Sequence, residues 1–499
     1  MRDLNKTPQK ILHQILLSTI TFTLNFTVCL PQLLLNHSNF TYLDSDTTHT
    51  RGHFENKMSH ETIAPFNFFK GHPTVSILPT KEIMEATIRI MKRFNKTMDT
   101  YDDFVDRHPL DYGTDPGNLE VRKLIAKWND KNFNVFRPSN PDCINLTSGA
   151  SAGLMNLLLQ LTSPHHGLTR RAFFISPTYF LINSVFIDAG FGGKLSAVVE
   201  QEDGQVDVEK FGEKLNYYDS LLPKPKARIC KEDIPQIYDP SRPLKKIFRY
   251  VLYVVPSFSN PKGSSLTDET KLALIKLARK HDMLIVCDDV YDLLDYREGA
   301  NLKHNKRMVY LDRETLPEGE EYGNVISNAT FSKLLGPGIR AGYQESSTPK
   351  LAYLLSQGGA NKSGGAPSQL NTVIIGDMLK MGVVDKVIAG LNEVYSERAK
   401  VLKQSIKKYL PDGTKASAFE GGYFGWVELP ERYNLKEIAA ECLKRGVVLA
   451  TGDNFEVTGD PQGWGKHCVR LSLSFLSLDK IKEGIKIWGD VCKNSVKEA

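Results

Sequence analysis

An α/β architecture is what this sequence predicts. Apolar runs of strand length alternate with amphipathic runs of helix length, and several of the strand-like runs end in turns of polar, ligand-type residues. Residues 143–148 read as a buried strand, and residues 149–159 as a helix that starts immediately behind it. Residues 171–176, 248–255 and 283–287 read as further strands, the last two separated by a helix over 268–281. Open α/β sheets hold ligands at the carboxyl ends of their strands, so the chemistry is sought in the turns found there.

With 499 residues and 41% hydrophobic content, the chain can fill a sizeable core, and two or three folded units are expected. The net charge of +5 is small for this length and no long Lys/Arg block occurs, so composition makes no case for nucleic acid as a partner. Small-molecule chemistry is the expectation. The seven cysteines (Cys29, Cys143, Cys230, Cys287, Cys442, Cys468, Cys492) are scattered and never in CxxC spacing. That argues against a disulfide framework, against a metal site, and for a reducing compartment.

Residues 11–35 are mostly apolar and follow Arg2, Lys6 and Lys10, the pattern of a signal anchor or signal peptide, but His13, Gln14, Asn25, Pro31 and Gln32 interrupt it. Globular patterning begins only after Met58. Residues 1–57 are therefore read as an N-terminal extension, either a targeting segment or an extension of the gene model. The globular part after residue 57 is expected to need no membrane. Its expected compartment is the cytoplasm, with a mitochondrial or membrane-anchored location as the alternative if the extension is a targeting segment.

From Met58 onward, Phe66-Asn-Phe-Phe-Lys-Gly-His-Pro73 reads as an extended arm closing in a Gly/Pro turn, followed by a helix over 81–94 with Ile83, Ala86, Ile90 and Met91 on one face. A turn-rich loop with Tyr112 and Gly117 then runs into a helix over 119–128. Taken alone, Tyr112 is a loop tyrosine packing locally.

Ser148-Gly-Ala-Ser151 stands at a helix start, where the free N–H groups of Ala150 and Ser151, the Ser151 hydroxyl and the helix dipole can hold an anion. Serine is also an ordinary N-cap. Pro177 turns the chain so that Tyr179 is presented at a strand end, where an aromatic can stack on a flat ring. Residues 217–246, rich in Lys, Pro, Asp and Arg without period, read as an exposed insertion. Asn260 is restricted by Pro261 at another strand end.

The strand over 283–287 runs into Asp288-Asp289. A carboxylate there is costly to bury unless paired or wet, so Asp288 is expected to face a proton-bearing partner such as a heterocyclic N–H. Asp289 is read as the more solvated of the two, and a helix N-cap is the alternative for both. Lys333 lies between Thr330-Phe-Ser332 and a glycine-rich turn carrying Arg340. Such a lysine can hold an aldehyde as a Schiff base while Thr330, Ser332 and Arg340 gather round one phosphate, although a surface lysine is the commoner reading of any single lysine.

Read in order, Tyr112 with Gly117, Ser148-Gly-Ala-Ser151, Pro177-Thr-Tyr179, Asn260-Pro-Lys-Gly263, Asp288-Asp-Val-Tyr291, Thr330-Phe-Ser-Lys333 through Arg340-Ala-Gly-Tyr343, and Arg470-Leu-Ser472 resemble the fold type I pyridoxal-phosphate aminotransferases over about residues 62–490. The arm is similar to the fungal branch near the 2-aminoadipate, kynurenine and aromatic aminotransferases. The resemblance implies a large domain with a mostly parallel, seven-stranded sheet sandwiched by helices, plus a smaller α/β domain. On this chain it gives an arm and part of the small domain at 58–112, a large domain at 113–368, and the C-terminal small domain at 369–499.

It also implies roles. Lys333 holds pyridoxal 5'-phosphate covalently and shuttles a proton, and Asp288 pairs with the ring nitrogen. Asn260 and Tyr291 bond the ring's phenolic oxygen, and Tyr179 stacks on its face. Ala150, Ser151, Thr330, Ser332 and Arg340 form the phosphate cup, with Tyr112 reaching it from a second subunit, so a homodimer with a shared site is expected. Arg470 receives the substrate α-carboxylate, with Asn260 and Gly71 nearby. Lys70 and His72 are candidate readers of the substrate side chain.

Threonine at 330 stands where many relatives have serine, and residues 217–246 and 301–323 exceed the family's usual lengths. The implied activity is ping-pong transfer of an amino group from an L-amino acid (2-aminoadipate, kynurenine or aromatic) to 2-oxoglutarate. A lyase of the same fold, either aminocyclopropane-carboxylate-synthase-like or a C–S lyase, would keep every cofactor residue. A ligand-sensing module of a transcription regulator is the other alternative. Residues 1–57 are too short and too apolar to be its basic DNA-binding domain.

Overall fold

The computed structural model describes residues 65–95, 107–133, 135–221, 239–297 and 304–495. The extension over 1–57, and residues 222–238 of the expected insertion, lie outside the described residues.

Seven strands make the main sheet: β1 (Ile144–Thr147), β2 (Arg171–Ser176), β3 (Leu195–Val199), β4 (Tyr250–Val254), β5 (Met283–Cys287), β6 (Val325–Thr330) and β7 (Gly342–Ser346). Their spatial order is β1-β7-β6-β5-β4-β2-β3. Pairing is parallel from β3 through β2, β4 and β5 to β6, and β7 runs antiparallel to both β6 and β1. Every residue of β4 and β5 is buried, as expected of a parallel sheet covered on both faces.

The period of two along each strand divides the core. Tyr250, Leu252 and Val254 of β4, with Ile285 and Cys287 of β5, belong to one apolar cluster. Val251 and Tyr253, with Leu284 and Val286, belong to the other. The expected mostly parallel, seven-stranded α/β sheet is therefore what forms. Because β1, β2, β4, β5 and β6 share a direction, Ser148, Pro177, Val255, Asp288 and Phe331 all emerge at one edge.

A second sheet contains β8 (Lys415–Ala416), β9 (Phe424–Glu428), β10 (Ala450–Thr451) and β11 (Cys468–Ser472), antiparallel in the order β10-β11-β9-β8. The arm joins this part of the chain: Phe66–Asn67 pairs with Val447–Val448, and Ser472 N donates to Phe68 O at 3.0 Å. The helix behind the arm spans Thr80–Phe94 and buries Ala86, Ile90 and Phe94, whereas Ile83 and Met91 are only half-buried.

The stretch read as an exposed insertion begins later than residue 217. Helix Val208–Ser220 carries Tyr217 and Tyr218, and the Tyr218 ring lies 5.8 Å from that of Phe173 in the core. Asp219 accepts from Tyr250 Oη at 2.8 Å, so these residues are anchored to the sheet. Within 304–323, helix Met308–Glu314 buries Met308, Val309, Tyr310, Leu311 and Asp312 and is likewise part of the core. The five described cysteines are free and buried, and among the described residues no helix is long and apolar enough to cross a membrane.

Candidate active site

The strand ends and the arm enclose a cavity of about 450 Å³. Lys333 enters it from the turn after β6. Phe331 N donates to Ala341 O at 3.0 Å and Tyr423 Oη donates to Lys333 O at 3.0 Å, which fixes the lysine's backbone. Its Nζ lies 5.5 Å from the Tyr423 ring centroid and 5.8 Å from that of Tyr291. Burial lowers the Lys333 pKa, Asp288 opposes that shift, and Arg470 and Arg340 add to it. A lysine shifted this way offers its neutral amine more readily, which is what a nucleophile needs.

Asp288 continues the line of β5, its N–H bonded to Val254 O at 2.8 Å. Tyr253 Oη donates to Asp288 Oδ2 at 2.6 Å. Burial pushes the carboxyl up to about 6, against the opposing pull of the Tyr253 hydrogen bond and the Lys333 charge.

Two expectations for its neighbour fail. Asp289 is no more solvated than Asp288: it is 4% exposed, takes a 2.6 Å hydrogen bond from Ser327 Oγ, and has its pKa raised mainly by burial. Neither acid caps a helix, because the chain continues into a turn closed by Leu294 N to Tyr291 O at 2.8 Å. Alternation across the strand end sends Asp288 to the cavity and Asp289 towards the buried pair of Arg307 with Asp292, which lie 2.6 Å apart.

Three segments bring anion-type donors to the cavity wall. Gly149, at φ +101°, opens helix Ala150–Leu161, and Ala150 and Ser151 line the cavity with first-turn N–H groups that have no intrahelical acceptor. Thr330 Oγ1 donates to Ser332 Oγ at 2.9 Å and accepts from Ser332 N at 3.1 Å. Arg340, in the left-handed region at φ 46°, donates from Nη2 to Ser148 O at 3.2 Å. A Cβ at Gly149 would stand 3.1 Å from that guanidinium nitrogen, so the close approach of the two segments depends on glycine.

Arg470 stands on β11 in the other sheet and is 3% exposed. It donates to Asn260 Oδ1 at 3.1 Å and to Phe69 O, and the rings of Phe424 and Phe455 lie 4.1 Å and 4.7 Å from its guanidinium carbon. Its Nε has no hydrogen-bond partner, and burial lowers its pKa to about 10. Among the described residues no carboxylate pairs with it. A buried guanidinium left this way is ready for an incoming carboxylate. Tyr179, Asn260 and Tyr291 complete the lining.

Gly71 also lines the cavity, pressed against the Phe424 ring, where a Cβ would collide. Gly71→Ala is expected to displace either the arm or Phe424 and weaken substrate binding about tenfold or more, through an overpacking cost of about 1–3 kcal/mol. Substrate titrations of the variant check this, and unchanged affinity would show that the arm adapts freely.

Of the residues expected from sequence, Ala150, Ser151, Tyr179, Asn260, Asp288, Tyr291, Thr330, Ser332, Lys333, Arg340, Arg470 and Gly71 converge on one cavity. Tyr112 does not: it is 71% exposed and lines a separate cleft with Arg107 and Lys362. Two contributors escaped sequence reading. Tyr253 sits in an all-apolar run, where a phenol needs a buried acceptor, and that need was the available signal. Asn328 donates to Ala150 O at 2.9 Å and accepts from Gln344 Nε2 at 3.1 Å, tying β6 to the anion-binding helix; no local pattern marks it.

The family model for aminotransferase class I and II matches residues 79–486. The uncharacterized protein YER152C of Saccharomyces cerevisiae is 47% identical over 437 residues, covering 86% of this chain and 97% of its own. Aromatic-amino-acid aminotransferase 1 of Thermococcus litoralis is 24% identical, covering 88% of this chain and 90% of its own. Among solved structures, LysN, the α-aminoadipate aminotransferase of Thermus thermophilus complexed with N-(5'-phosphopyridoxyl)-L-leucine, superposes with a TM-score of 0.65 at 21% identity, covering 87% of this chain and 94% of its own. With the family model spanning both sheets and every cavity-lining residue behind the arm, this chain belongs to the class I and II aminotransferases, whose cofactor is pyridoxal phosphate.

Proposed function

We propose that the cavity transfers the amino group of an L-amino acid (2-aminoadipate, kynurenine or an aromatic amino acid) to 2-oxoglutarate, the two half-reactions alternating in one site. The observation that carries this reading is the convergence of the Lys333 amine, the buried Asp288 carboxylate and the partnerless Arg470 Nε on a single cavity. The names of the aromatic and aminoadipate relatives support the choice of donor class.

The residues present fit the cofactor. The cup of Ala150, Ser151, Thr330, Ser332 and Arg340 offers backbone N–H groups, hydroxyls and a guanidinium, a donor set suited to a phosphate. When bound, pyridoxal phosphate supplies an aldehyde that condenses with amines and a ring that takes up the electron pair left when an α-proton departs. Asp288, whose carboxylate accepts from Tyr253, would pair with the ring nitrogen and favour its protonated form. Asn260 and Tyr291 would bond the phenolic oxygen, and Tyr179 would cover the ring face. Lys333 would hold the cofactor through its amine, and the same Nζ is placed to act as the base toward the substrate α-proton. Arg470 orients the substrate by its α-carboxylate.

A homodimer belongs to the same reading. Tyr112 is exposed and away from its own chain's cavity, as it must be to serve the cup of a second subunit.

Absorption spectra of the purified protein with pyridoxal phosphate test the reading, recorded before and after single amino acids are added without any oxo acid. The expected result is conversion of the cofactor from its aldehyde form to its amine form, with one mole of oxo acid released per site. Ammonia release without conversion would make the protein a lyase and overturn amino transfer.

A further inference from the structure

One buried acid has no part in the chemistry above. Glu200 follows β3, its N–H bonded at 2.9 Å to Ser176 O at the end of β2, and it is 5% exposed. Its partner is Lys262, whose Nζ lies 3.2 Å from Glu200 Oε1 and donates to Gln201 O at 2.9 Å. Burial raises the Glu200 pKa, and the Lys262 charge and the Ser264 hydroxyl oppose the rise. Two opposite charges taken out of water together recover little more than their desolvation costs, so the contribution of such a pair is sought in the geometry it fixes.

That geometry concerns Asn260. Lys262 stands two residues after it, in a turn behind β4 that closes on itself: Ser259 N donates to Ser264 O and Gly263 N to Ser259 O, both at 2.8 Å. Gly263 has a φ of +72°, and a Cβ there would stand 2.6 Å from Phe424 O, so the turn is pressed against β9. Ser417 Oγ donates to Lys262 O at 2.6 Å. The Lys262 side chain ties the same turn to the segment after β3. Glu200, Tyr253, Ser264 and Asn260 line one cavity of about 10 Å³, room for about one water, so Asn260 has little space to shift while the pair is intact. Asn260 in turn accepts from Arg470 Nη1 at 3.1 Å.

We infer that Lys262, through its ion pair with Glu200, is a positioning residue for Asn260: it fixes the turn that aims the Asn260 amide at the Arg470 guanidinium and at the phenolic oxygen of the bound cofactor. The inference rests on the cofactor assignments of the proposed function and adds to them what holds Asn260 in place. An amide N–H aimed at that oxygen stabilises its deprotonated form, so a displaced Asn260 raises the pH at which the bound cofactor's absorbance changes.

The test is a pH titration of the full-length holoenzyme without substrate, following the cofactor's visible absorbance. Lys262→Met alone leaves Glu200 buried without a partner and is expected to destabilise the fold, so the variant to read combines Glu200→Gln with Lys262→Met, which changes no net charge and strands no ion. Its absorbance midpoint should rise by about 0.5–1 in pH, while its urea unfolding midpoint stays within about 0.5 M of the wild type. In an Asn260→Ala background the same two changes should move the absorbance midpoint by less than about 0.2 in pH, because the residue they act through is gone. An absorbance midpoint within about 0.2 of the wild type in Glu200→Gln with Lys262→Met overturns the inference. So does an undiminished further shift in the Asn260→Ala background, which would mark an effect that bypasses Asn260. A wild type whose titration is unmoved by Asn260→Ala overturns the assignment of Asn260 in the proposed function. A wild type that takes up no pyridoxal phosphate overturns the proposed function itself.

Discussion

Lys333→Ala is expected to lower the rate of amino transfer by about 10⁴-fold or more, because in the proposed reading one substitution would remove both the covalent tether and the base that takes the α-proton. The structure makes this loss hard to compensate. Lys333 is buried between the rings of Tyr291 and Tyr423, and its own carbonyl is held by Tyr423 Oη at 3.0 Å. Among the described residues, Lys70 is the other lysine lining the cavity, and the arm holds it apart by its contact with Phe475. Reduction of the wild type with borohydride in the presence of pyridoxal phosphate should attach the cofactor irreversibly to the peptide containing Lys333, as read by mass spectrometry. Labelling of a different lysine would refute the assignment. Lys333→Arg should also be inactive, since a guanidinium keeps the charge but supplies neither the nucleophile nor the base.

Asp288→Asn gives the second large effect, and its two consequences have opposite signs. Amino transfer should fall by about 10²–10⁴-fold, because a neutral amide cannot hold a positive charge on the ring nitrogen. The apoprotein, by contrast, should become more stable at neutral pH. The Asp288 carboxyl is pushed up from the ordinary 3.8 to about 6 by burial. Between those values the folded protein keeps a proton that the unfolded chain has already released, so stability falls as pH rises through this window, by at most about 3 kcal/mol. Asparagine bears no such charge and still accepts the Tyr253 hydrogen bond.

Urea unfolding of apoprotein at pH 4 and pH 8 measures the difference. The variant should gain on the wild type at pH 8 and show little gain at pH 4. A wild type no less stable than Asp288→Asn at pH 8 would mean that the carboxylate is already compensated before cofactor binds. Cofactor affinity in the wild type should carry the reverse dependence, strong above about pH 6 and weakening below it as Asp288 protonates. Stability given up at a buried carboxylate is thus recovered when a protonated ring faces it.

Much of this site was legible in the chain, because its parts are local. A helix start with small residues, a strand ending in acids, and a lysine between hydroxyls and a glycine-rich turn are each short patterns that suggest ligand chemistry from residue type and spacing, and the family resemblance joins them into one expected site. The parallel core was legible for the same reason: strands such as Tyr250–Val254 and Met283–Cys287 are apolar on both faces, and only a sheet covered on both sides buries them.

What local spacing could not settle was the direction of side chains that meet across large sequence separations. Asp288 and Asp289 are indistinguishable in the sequence, yet alternation at a strand end sends one to the cavity beneath Tyr253 and the other to Ser327 near the Arg307–Asp292 pair. The end of helix Val208–Ser220 looks like the start of a polar loop until Tyr218 and Asp219 are seen to find Phe173 and Tyr250. The α/β class and the chemically distinctive residues of the cavity could be read from residue type and short spacing, while the identity of the cofactor came from the resemblance to the aminotransferase family. Which acid faces the site, and how Arg470 is left with a buried N–H to offer, emerge only in three dimensions, because each depends on what distant segments bring within a few ångströms.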